Sequence, residues 1–381
     1  MKPTQLFTEF FNSEKAGGIL LIFCSVISLI LTNSPLQEGY QYIWNFEMAG
    51  HDTSHWINDG LMAIFFLLIG LELEREVYKG ELSTIKQASL PVVAALGGMI
   101  VPAGLFLAFN FGTPTQAGAG IPMATDIAFA IGILSLLGNR VPTSLKVLLT
   151  ALAVIDDLGA ILVIAVFYTG SLEWTNLSIA IGILTFLFVL NRFRVEVLSI
   201  YLVCGAVAWY FMLHSGVHAT ITGVLLAFVI PFSDGAENSI SYKLQRFLHK
   251  PVAFIILPLF ALANTSLVIE SDWVQGLLQP GSVGIFAGLV IGKPLGIFLF
   301  TAAVVALGIC SLPEGLTWKH IAGVGFLGGI GFTMSIFIAL LAYDNPILIT
   351  ESKIAILLAS LVSGIIGFLW LRWTVGRTHT V

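Results

Sequence analysis

Charged residues are scarce in this sequence, and their scarcity already limits the class of protein. Asp, Glu, Lys and Arg make up 10% of the 381 residues, while 57% are hydrophobic. Ordinary soluble domains carry roughly a quarter charged residues, so a water-soluble fold could not bury this much apolar surface. A nucleic-acid partner is not expected for such a chain. The composition instead predicts a protein surrounded by membrane lipid.

Cysteine is equally rare, so neither a disulfide framework nor a cysteine metal centre is expected. Cys24, Cys204 and Cys310 all lie inside apolar stretches and lack the spacing of metal ligands. They are predicted to pack as small buried hydrophobic residues. Residues 1–15 run directly into an apolar span, so no cleaved signal peptide is expected. No linker divides the chain, which favours one membrane domain over residues 1–381.

Long apolar runs recur along the whole chain, separated by glycine, proline and charged residues. A helix of about 20 residues crosses a hydrocarbon core of roughly 30 Å. The sequence therefore predicts an all-α polytopic membrane protein with twelve transmembrane helices. The predicted spans are 12–31, 57–78, 88–109, 121–138, 144–168, 175–191, 197–212, 216–230, 250–270, 282–308, 318–342 and 351–371.

Basic residues are predicted to lie almost entirely on one side of the membrane. With a cytoplasmic N-terminus, fifteen of the seventeen Lys and Arg residues fall in inner loops or tails, including Lys2 and Arg377. Lys353 is then outside, and Lys293 lies within a span. This asymmetry obeys the positive-inside rule. We therefore expect an even number of spans and two cytoplasmic termini.

Four ionisable residues lie well inside predicted spans: Asp126, Asp156, Asp157 and Lys293. A charge at such a depth costs roughly 2.5–3.5 kcal/mol on insertion scales, so each one indicates a functional site. Adjacent helical residues point about 100° apart, so one of Asp156 and Asp157 could face an ion while the other faces Lys293. The alternative is a buried ion pair that only fixes helix packing. A packing pair would need one carboxylate for the single amine, and three carboxylates are present.

Glycine and proline interrupt two spans in corresponding positions. The fourth contains Gly118-Ala119-Gly120-Ile121-Pro122, and the eleventh contains five glycines between residues 323 and 331. Paired interruptions indicate the binding site of an inverted-repeat transporter. Because half-helix ends carry roughly half a charge, Asp126 and Lys293 are candidates to compensate them. Close helix packing through small residues is the alternative explanation of the glycines.

An ordered set of motifs covers nearly the whole chain. In sequence these are Gly17-Gly18-Ile19-Leu20, Trp56-Ile57-Asn58-Asp59, Gly70-Leu71-Glu72, Ala124-Thr125-Asp126, Ile155-Asp156-Asp157-Leu158-Gly159, Gly216-Val217-His218-Ala219-Thr220, Gly292-Lys293-Pro294-Leu295-Gly296 and Gly329-Ile330-Gly331-Phe332-Thr333-Met334-Ser335. Each motif alone is weak, but the ordered set resembles the NhaA family of sodium/proton antiporters.

The resemblance implies inverted repeats at approximately 88–168 and 282–371, with crossed broken helices at spans 4 and 11. It implies that Asp157 is the principal sodium ligand and proton carrier, with Asp156 paired to Lys293. Asp156 and Thr125 are further candidate sodium ligands, and Thr125 and Asp126 lie at the helix break. We expect export of sodium or lithium in exchange for protons, without a cofactor. A homodimer in a bacterial inner membrane is also implied.

The resemblance further implies a cytoplasmic pH-responsive region. Its candidate residues are Glu72, Arg75, Glu76, His218 and His249. This chain has Gln245 where the family usually has an acidic residue. For His218, a hydrogen-bonded histidine near a helix start is the alternative. The connection 32–55, a dimerising hairpin in the family, lacks an Asn-Gly or Asp-Gly turn signal here.

Two other functions would also place carboxylates in a membrane. An intramembrane aspartyl enzyme would show Gly-x-Gly-Asp, and a diphosphate-binding enzyme would show a third Asp after Asp156 and Asp157; neither pattern is present. A cation channel conducts through weak multi-site binding, and no repeated filter segment is visible. The sequence therefore favours a secondary transporter over an enzyme or a channel.

Overall fold

The protein is predominantly helical. The computed structural model describes residues 5–80, 82–233, 235–269 and 273–375. Lys2 and Arg377, on which the predicted orientation partly relies, lie outside these residues. The helices of eight or more residues are α1 Gln5–Thr32, α2 Gln37–Trp44, α3 Thr53–Lys79, α4 Ile85–Asn110, α5 Gln116–Met123, α6 Ile127–Ser135, α7 Thr143–Phe167, α8 Trp174–Arg192, α9 Leu198–Leu213, α10 Ile221–Val229, α11 Ile240–Asn264, α12 Pro280–Ala306, α13 Trp318–Gly328, α14 Phe332–Ala342 and α15 Pro346–Val375.

Within the described ranges, eight helical stretches are long and apolar enough to cross a membrane, with α5 and α6 counted together as one, and the bent pair α13–α14 makes a possible ninth span. The chain is therefore a multi-pass membrane protein. The other three predicted spans, 12–31, 197–212 and 216–230, coincide with the apolar stretches Ala16–Thr32 of α1, Leu198–Leu213 and Ile221–Val229, each shorter than 18 residues. The count of twelve spans stays a prediction.

Helix α7 illustrates how the sequence places charges at membrane depth. Its 25 residues are mostly Ala, Leu, Ile and Val, and its backbone bonds internally because lipid offers no partner. Pro142 precedes it, where a missing N–H leaves no helical hydrogen bond unmade. Asp156 and Asp157 fall close to the middle of this helix and are fully buried. The polar pair therefore lies deep inside the protein.

Helices α4 and α12 approach each other closely through glycine. A Cβ atom on Gly97 would collide with the carbonyl oxygen of Gly296, and a Cβ on Gly296 would collide with that of Gly97. Small residues allow helix backbones to pack tightly in a membrane. Lys293 lies one turn before Gly296, and its side chain packs against Gly98. The glycine contact thus fixes the position of the buried lysine.

Two interruptions shape the centre of the fold. The chain leaves α5, which is a 3-10 helix, and runs extended through Ala124 and Asp126 before α6 begins. Helix α13 ends at Gly328 and α14 begins at Phe332, with an angle of 46° between them. A third irregularity, the π-helical turn Gly288–Gly292 in α12, directly precedes Lys293. Turns of this type often occur at functional sites.

The connection between α1 and α3 contains a hairpin whose turn has neither Asn-Gly nor Asp-Gly. Strands β1 Glu47–Met48 and β2 His51–Asp52 pair antiparallel. Ala49 and Gly50 form the two-residue turn, both with positive φ, at 55° and 86°. Such turns favour Asn-Gly because left-handed backbone is strained for most residues. Ala49 accepts that strain, so the Asn-Gly test missed the hairpin.

Lys353 lies deeper in the helix bundle than the predicted start of its span at residue 351 indicates. The predicted outer side for this residue stays a prediction. Helix α15 begins earlier, at Pro346, and the side chain of Lys353 is only 9% exposed. The apolar run does not mark this start. Proline is well suited to the first helical position, so the helix begins at Pro346, before the apolar run. Lys353 is therefore a buried residue of the helix bundle.

Candidate functional site

The two helix interruptions contact each other directly. The backbone N–H of Asp126 donates to the carbonyl of Ile330 at 2.6 Å, and the Thr125 hydroxyl lies 2.9 Å from the carbonyl oxygen of Gly328. The Ser335 hydroxyl donates to the carbonyl of Ile121 at 2.7 Å. Breaks that lie about 200 residues apart in sequence thus satisfy one another's backbone groups.

Asp126 lies at the N-terminal ends of two helices. Its Oδ1 accepts from the backbone N–H of Phe129 in α6 at 2.9 Å. Its Oδ2 accepts from the backbone N–H of Thr333 in α14 at 3.0 Å and from the Thr333 hydroxyl at 2.5 Å. Helix N-termini carry unpaired N–H groups and partial positive charge. The Asp126 carboxylate is therefore fully used as a cap for both helices.

Lys293 forms an ion pair with Asp156. Its Nζ donates to Asp156 Oδ2 at 2.5 Å and also donates to the carbonyl of Met123. Met123 is the last residue of α5, where the helix dipole is negative. The Thr125 hydroxyl lies 2.7 Å from the same Asp156 oxygen and donates its single proton either there or to Gly328. Both side chains of the ion pair are completely buried.

Asp157 differs from both of its carboxylate neighbours. Within the part of the chain that the structure describes, neither of its oxygens has a hydrogen-bond partner, although the residue is fully buried. The Oδ1 atom of Asp156 likewise has none. A buried carboxylate without donors is costly unless a proton or a cation neutralises it. Three carboxylate oxygens on adjacent residues are thus available to such a species.

Comparison with known proteins shows the family to which the chain belongs. The family profile described as Na+/H+ antiporter 1 matches residues 8–371 of the chain. A Na(+)/H(+) antiporter NhaA 1 from Flavobacterium johnsoniae is 66% identical over 373 residues, which is 98% of this chain and 98% of that protein. The chain belongs to the Na+/H+ antiporter family. It is therefore a member of a transporter family and not an enzyme.

Two further proteins support the family and the fold. The Na(+)/H(+) antiporter NhaA of Dechloromonas aromatica is 59% identical over 376 residues, covering 98% of this chain and 97% of that protein. The sodium proton antiporter MjNhaP1 from Methanocaldococcus jannaschii has a similar structure, with a TM-score of 0.54. That structure covers 98% of this chain and is fully covered itself, but the sequence identity is 14%. The likeness to MjNhaP1 therefore supports only the fold.

The candidate pH-responsive residues of this family member fall into two places. His249 and Glu72, both buried, join α11 to α3 with 2.9 Å between Nε2 and Oε1. Arg75, one turn further along α3, lies over the ring of Tyr242 at 4.9 Å. Glu76 lies on the same helix, one turn after Glu72. Glu72, Arg75, Glu76 and His249 therefore lie at one end of the α3 span.

His218 lies apart from that group, and its role in a pH response stays a prediction. Its Nε2–H donates to the carbonyl of Tyr168 at 2.8 Å, and its charged form interacts with Asp59. Asp59 lies near the start of α3, about 20 Å along the helix from Glu72. The family resemblance groups His218 with Glu72 by motif, and a motif does not report the depth of a residue in the membrane. In the structure it is a hydrogen-bonded histidine at the opposite end of the span.

Sequence reasoning assigned no role to two hydroxyl side chains at the second interruption. Thr333 donates twice to Asp126, and Ser360 in α15 accepts from the backbone N–H of Phe332 at 3.1 Å. Thr333 was part of a recognised motif, and its place just after a glycine break indicates the first turn of a helix. Ser360 gives no such signal, because its partner lies on another helix.

Proposed function

We propose that this chain exports sodium, or lithium, in exchange for protons. One observation carries the proposal: Asp157 is buried without a donor, next to an ion pair, where two helix interruptions meet. A carboxylate in this state can hold either a proton or a hard cation. Such alternation is what an antiporter needs from its binding site.

Competition at Asp157 couples the two fluxes. Sodium, like other hard cations, prefers oxygen ligands and needs the ionised carboxylate, whereas a proton removes that charge. Asp156 Oδ1 and the Thr125 hydroxyl oxygen are the further candidate ligands beside Asp157. Binding of one species releases the other, and the centre then opens to one side or the other. At acidic pH, protons hold the carboxylates and exchange should fade.

A second proton makes the exchange electrogenic. If sodium recruits Asp156, the Asp156–Lys293 pair opens, and either member can then take up or release a proton. Two protons per sodium move one net positive charge inward in each cycle. A membrane potential that is negative inside then assists sodium export by about 2.3 kcal/mol per 100 mV.

The wider architecture of the family completes the proposal. We infer twelve transmembrane helices in a bacterial inner membrane, with both termini in the cytoplasm and inverted repeats at approximately 88–168 and 282–371. The hydrogen bonds between the interruptions at 124–126 and 328–331 support crossed broken helices. The Glu72–His249 contact supports a pH-responsive link between α3 and α11, since histidine changes charge near neutral pH. We also propose a homodimer, by analogy with the family.

Everted membrane vesicles test the exchange itself. Addition of sodium or lithium to vesicles with a preformed, acidic-inside pH gradient should dissipate that gradient. Absence of any response would contradict the antiport function. Proteoliposomes with a clamped potassium-diffusion potential test the stoichiometry: rates that ignore the potential would show neutral coupling and exclude the second proton.

A further inference from the structure

Lys353 carries a buried charge that the exchange mechanism does not use. It is the eighth residue of α15, and its Nζ donates to Asn264 Oδ1 at 3.3 Å. Among the residues that the structure describes, no carboxylate forms an ion pair with it. An uncompensated charge at membrane depth is expensive and by default indicates function.

The amine of Lys353 belongs to a polar layer that joins three helices. Asn264, the last residue of α11, donates from its Nδ2 to Asn58 Oδ1 at 2.7 Å. Asn58 lies in the π-helical turn Trp56–Leu61 near the start of α3. The positive-inside orientation places all three helix ends on the outer side of the membrane. We call Lys353, Asn264 and Asn58 the outer polar layer.

An aromatic layer separates the outer polar layer from the ion centre. Phe66 and Phe260 both contact the ring of Phe337, with ring centroids 5.3 and 6.4 Å apart. All three rings are fully buried. Phe337 lies one turn after Thr333, and Phe260 lies one turn before Asn264. The order from the centre outward is therefore Thr333 with Asp126, then the three rings, then Lys353.

Helix α15 gives the depth of Lys353 relative to the ion centre. Ser360, which accepts from the backbone of Phe332 at the second interruption, lies seven residues after Lys353. Seven residues of helix span about 10 Å. A unit charge lowers the occupancy of a monovalent cation about 10 Å away by about tenfold in a medium of effective dielectric constant near 20, so its effect falls on sodium in the outer half of the path.

We propose that the ammonium of Lys353 weakens sodium binding from the outer side and so promotes release of exported sodium. In this proposal the outer polar layer lines the outer half of the ion path, so that sodium exchanged with the outside comes within reach of its charge and sodium that enters from inside does not. The proposal rests on the antiport function and on the outward orientation of this layer. Lys353 acts as a positioning charge for the ion path, not as an ion ligand.

Sided kinetics of Lys353 variants test the proposal. Lys353→Met keeps the length of the side chain and removes its charge, while Lys353→Arg keeps the charge. In right-side-out vesicles, the Met variant should lower the KM for external sodium by about fivefold to tenfold. In everted vesicles, the KM for internal sodium should stay within about twofold, and the Arg variant should behave like wild type on both sides.

Substitutions of Asn264 keep the test decisive even if the Met variant fails to fold. Asn264→Asp neutralises the ammonium by pairing, and should reproduce the sided shift in KM. Asn264→Leu removes the hydrogen bonds but leaves the charge, and should not lower the external KM. Lys319→Met is the matched control, because this lysine lies over the ring of Trp373 at the predicted inner end.

Three results would overturn the proposal: an unchanged external KM in Lys353→Met or Asn264→Asp, an equal shift on both sides, or the same shift in Asn264→Leu. Failure of the antiport function is distinguishable from these results. In that case the wild-type vesicles would show no sodium-dependent loss of the pH gradient at all.

Discussion

Two buried carboxylates lie in the same centre and have opposite surroundings. Asp126, at the crossing of the two interruptions, accepts three hydrogen bonds from α6 and α14. Asp157, on the uninterrupted helix α7, accepts none from the described part of the chain. A carboxylate whose oxygens accept several hydrogen bonds is held in place and fixes structure. One without donors depends on a mobile proton or cation.

The comparison assigns different roles to the two aspartates: Asp126 stabilises the structure, and Asp157 serves the proposed transport. Asp126 holds two helix ends that would otherwise face one another with like partial charges. Lys293 compensates the partial negative charge at the C-terminal end of α5 and also pairs with Asp156. Asp156 is intermediate, with one oxygen engaged and one without a partner. Asp157 has no partner for either oxygen among the described residues, as the proposed ion site requires.

Asp157→Asn should have the largest effect on transport and the smallest on stability. The amide keeps the size of the side chain but loses the charge that attracts sodium. Exchange in vesicles should fall below detection, while the melting temperature in detergent should not decrease, because no protein hydrogen bond is lost. A variant that unfolds would break the comparison, since Asp157 would then be structural.

Lys293→Ala should have the largest effect on stability. Removing one member of a buried ion pair leaves the other charge uncompensated, at a cost of about 3–5 kcal/mol. The variant should therefore melt well below wild type in detergent, whereas Lys319→Ala, at a charge beside an indole ring, should change little. An unchanged melting temperature together with lost exchange would mean that Lys293 acts in transport alone.

Asp126→Asn should come next in its effect on stability. An amide cannot accept from Phe129 and Thr333 on both sides, so at least one charge-assisted hydrogen bond is lost, worth about 1.5–3 kcal/mol. Thermal melts of Asp126→Asn and Asp157→Asn, made side by side, sharpen the comparison. Equal melting temperatures for the two variants would show that the caps on α6 and α14 are dispensable.

Thr125→Val should cost the least stability of the three variants that remove a hydrogen bond or an ion pair. The valine keeps the shape of the side chain but loses the hydroxyl that bonds Asp156 or Gly328, which stabilises by about 1–2 kcal/mol. Exchange should persist with a KM for sodium raised by about tenfold or less. Complete loss of exchange in a folded protein would make Thr125 an essential ligand.

Much of the centre could be predicted from the sequence, because charges in apolar spans are rare and expensive. Asp126, Asp156, Asp157 and Lys293 stand out on that ground alone. Periodicity could not decide which aspartate faces Lys293, since adjacent helical residues differ only in direction. The structure assigns the pair to Asp156 through a contact between residues 137 positions apart.

Other features could not be predicted from the sequence, because they depend on how the helices pack against one another. The second cap that Asp126 provides, on α14, depends on two interruptions meeting in space. The start of α15 at Pro346, and with it the burial of Lys353, could not be located from the apolar run. His218 was grouped with Glu72 by motif, and only the fold shows that they lie at opposite ends of α3.

Sodium binding to the purified protein tests the central claim most directly. Calorimetric titration in buffers of different ionisation enthalpy reports both the bound sodium and the protons that it displaces. The account predicts that wild type binds sodium with release of protons, that Asp126→Asn still does so where it remains folded, and that Asp157→Asn does neither. Sodium binding by a folded Asp157→Asn variant at near wild-type affinity would contradict the account.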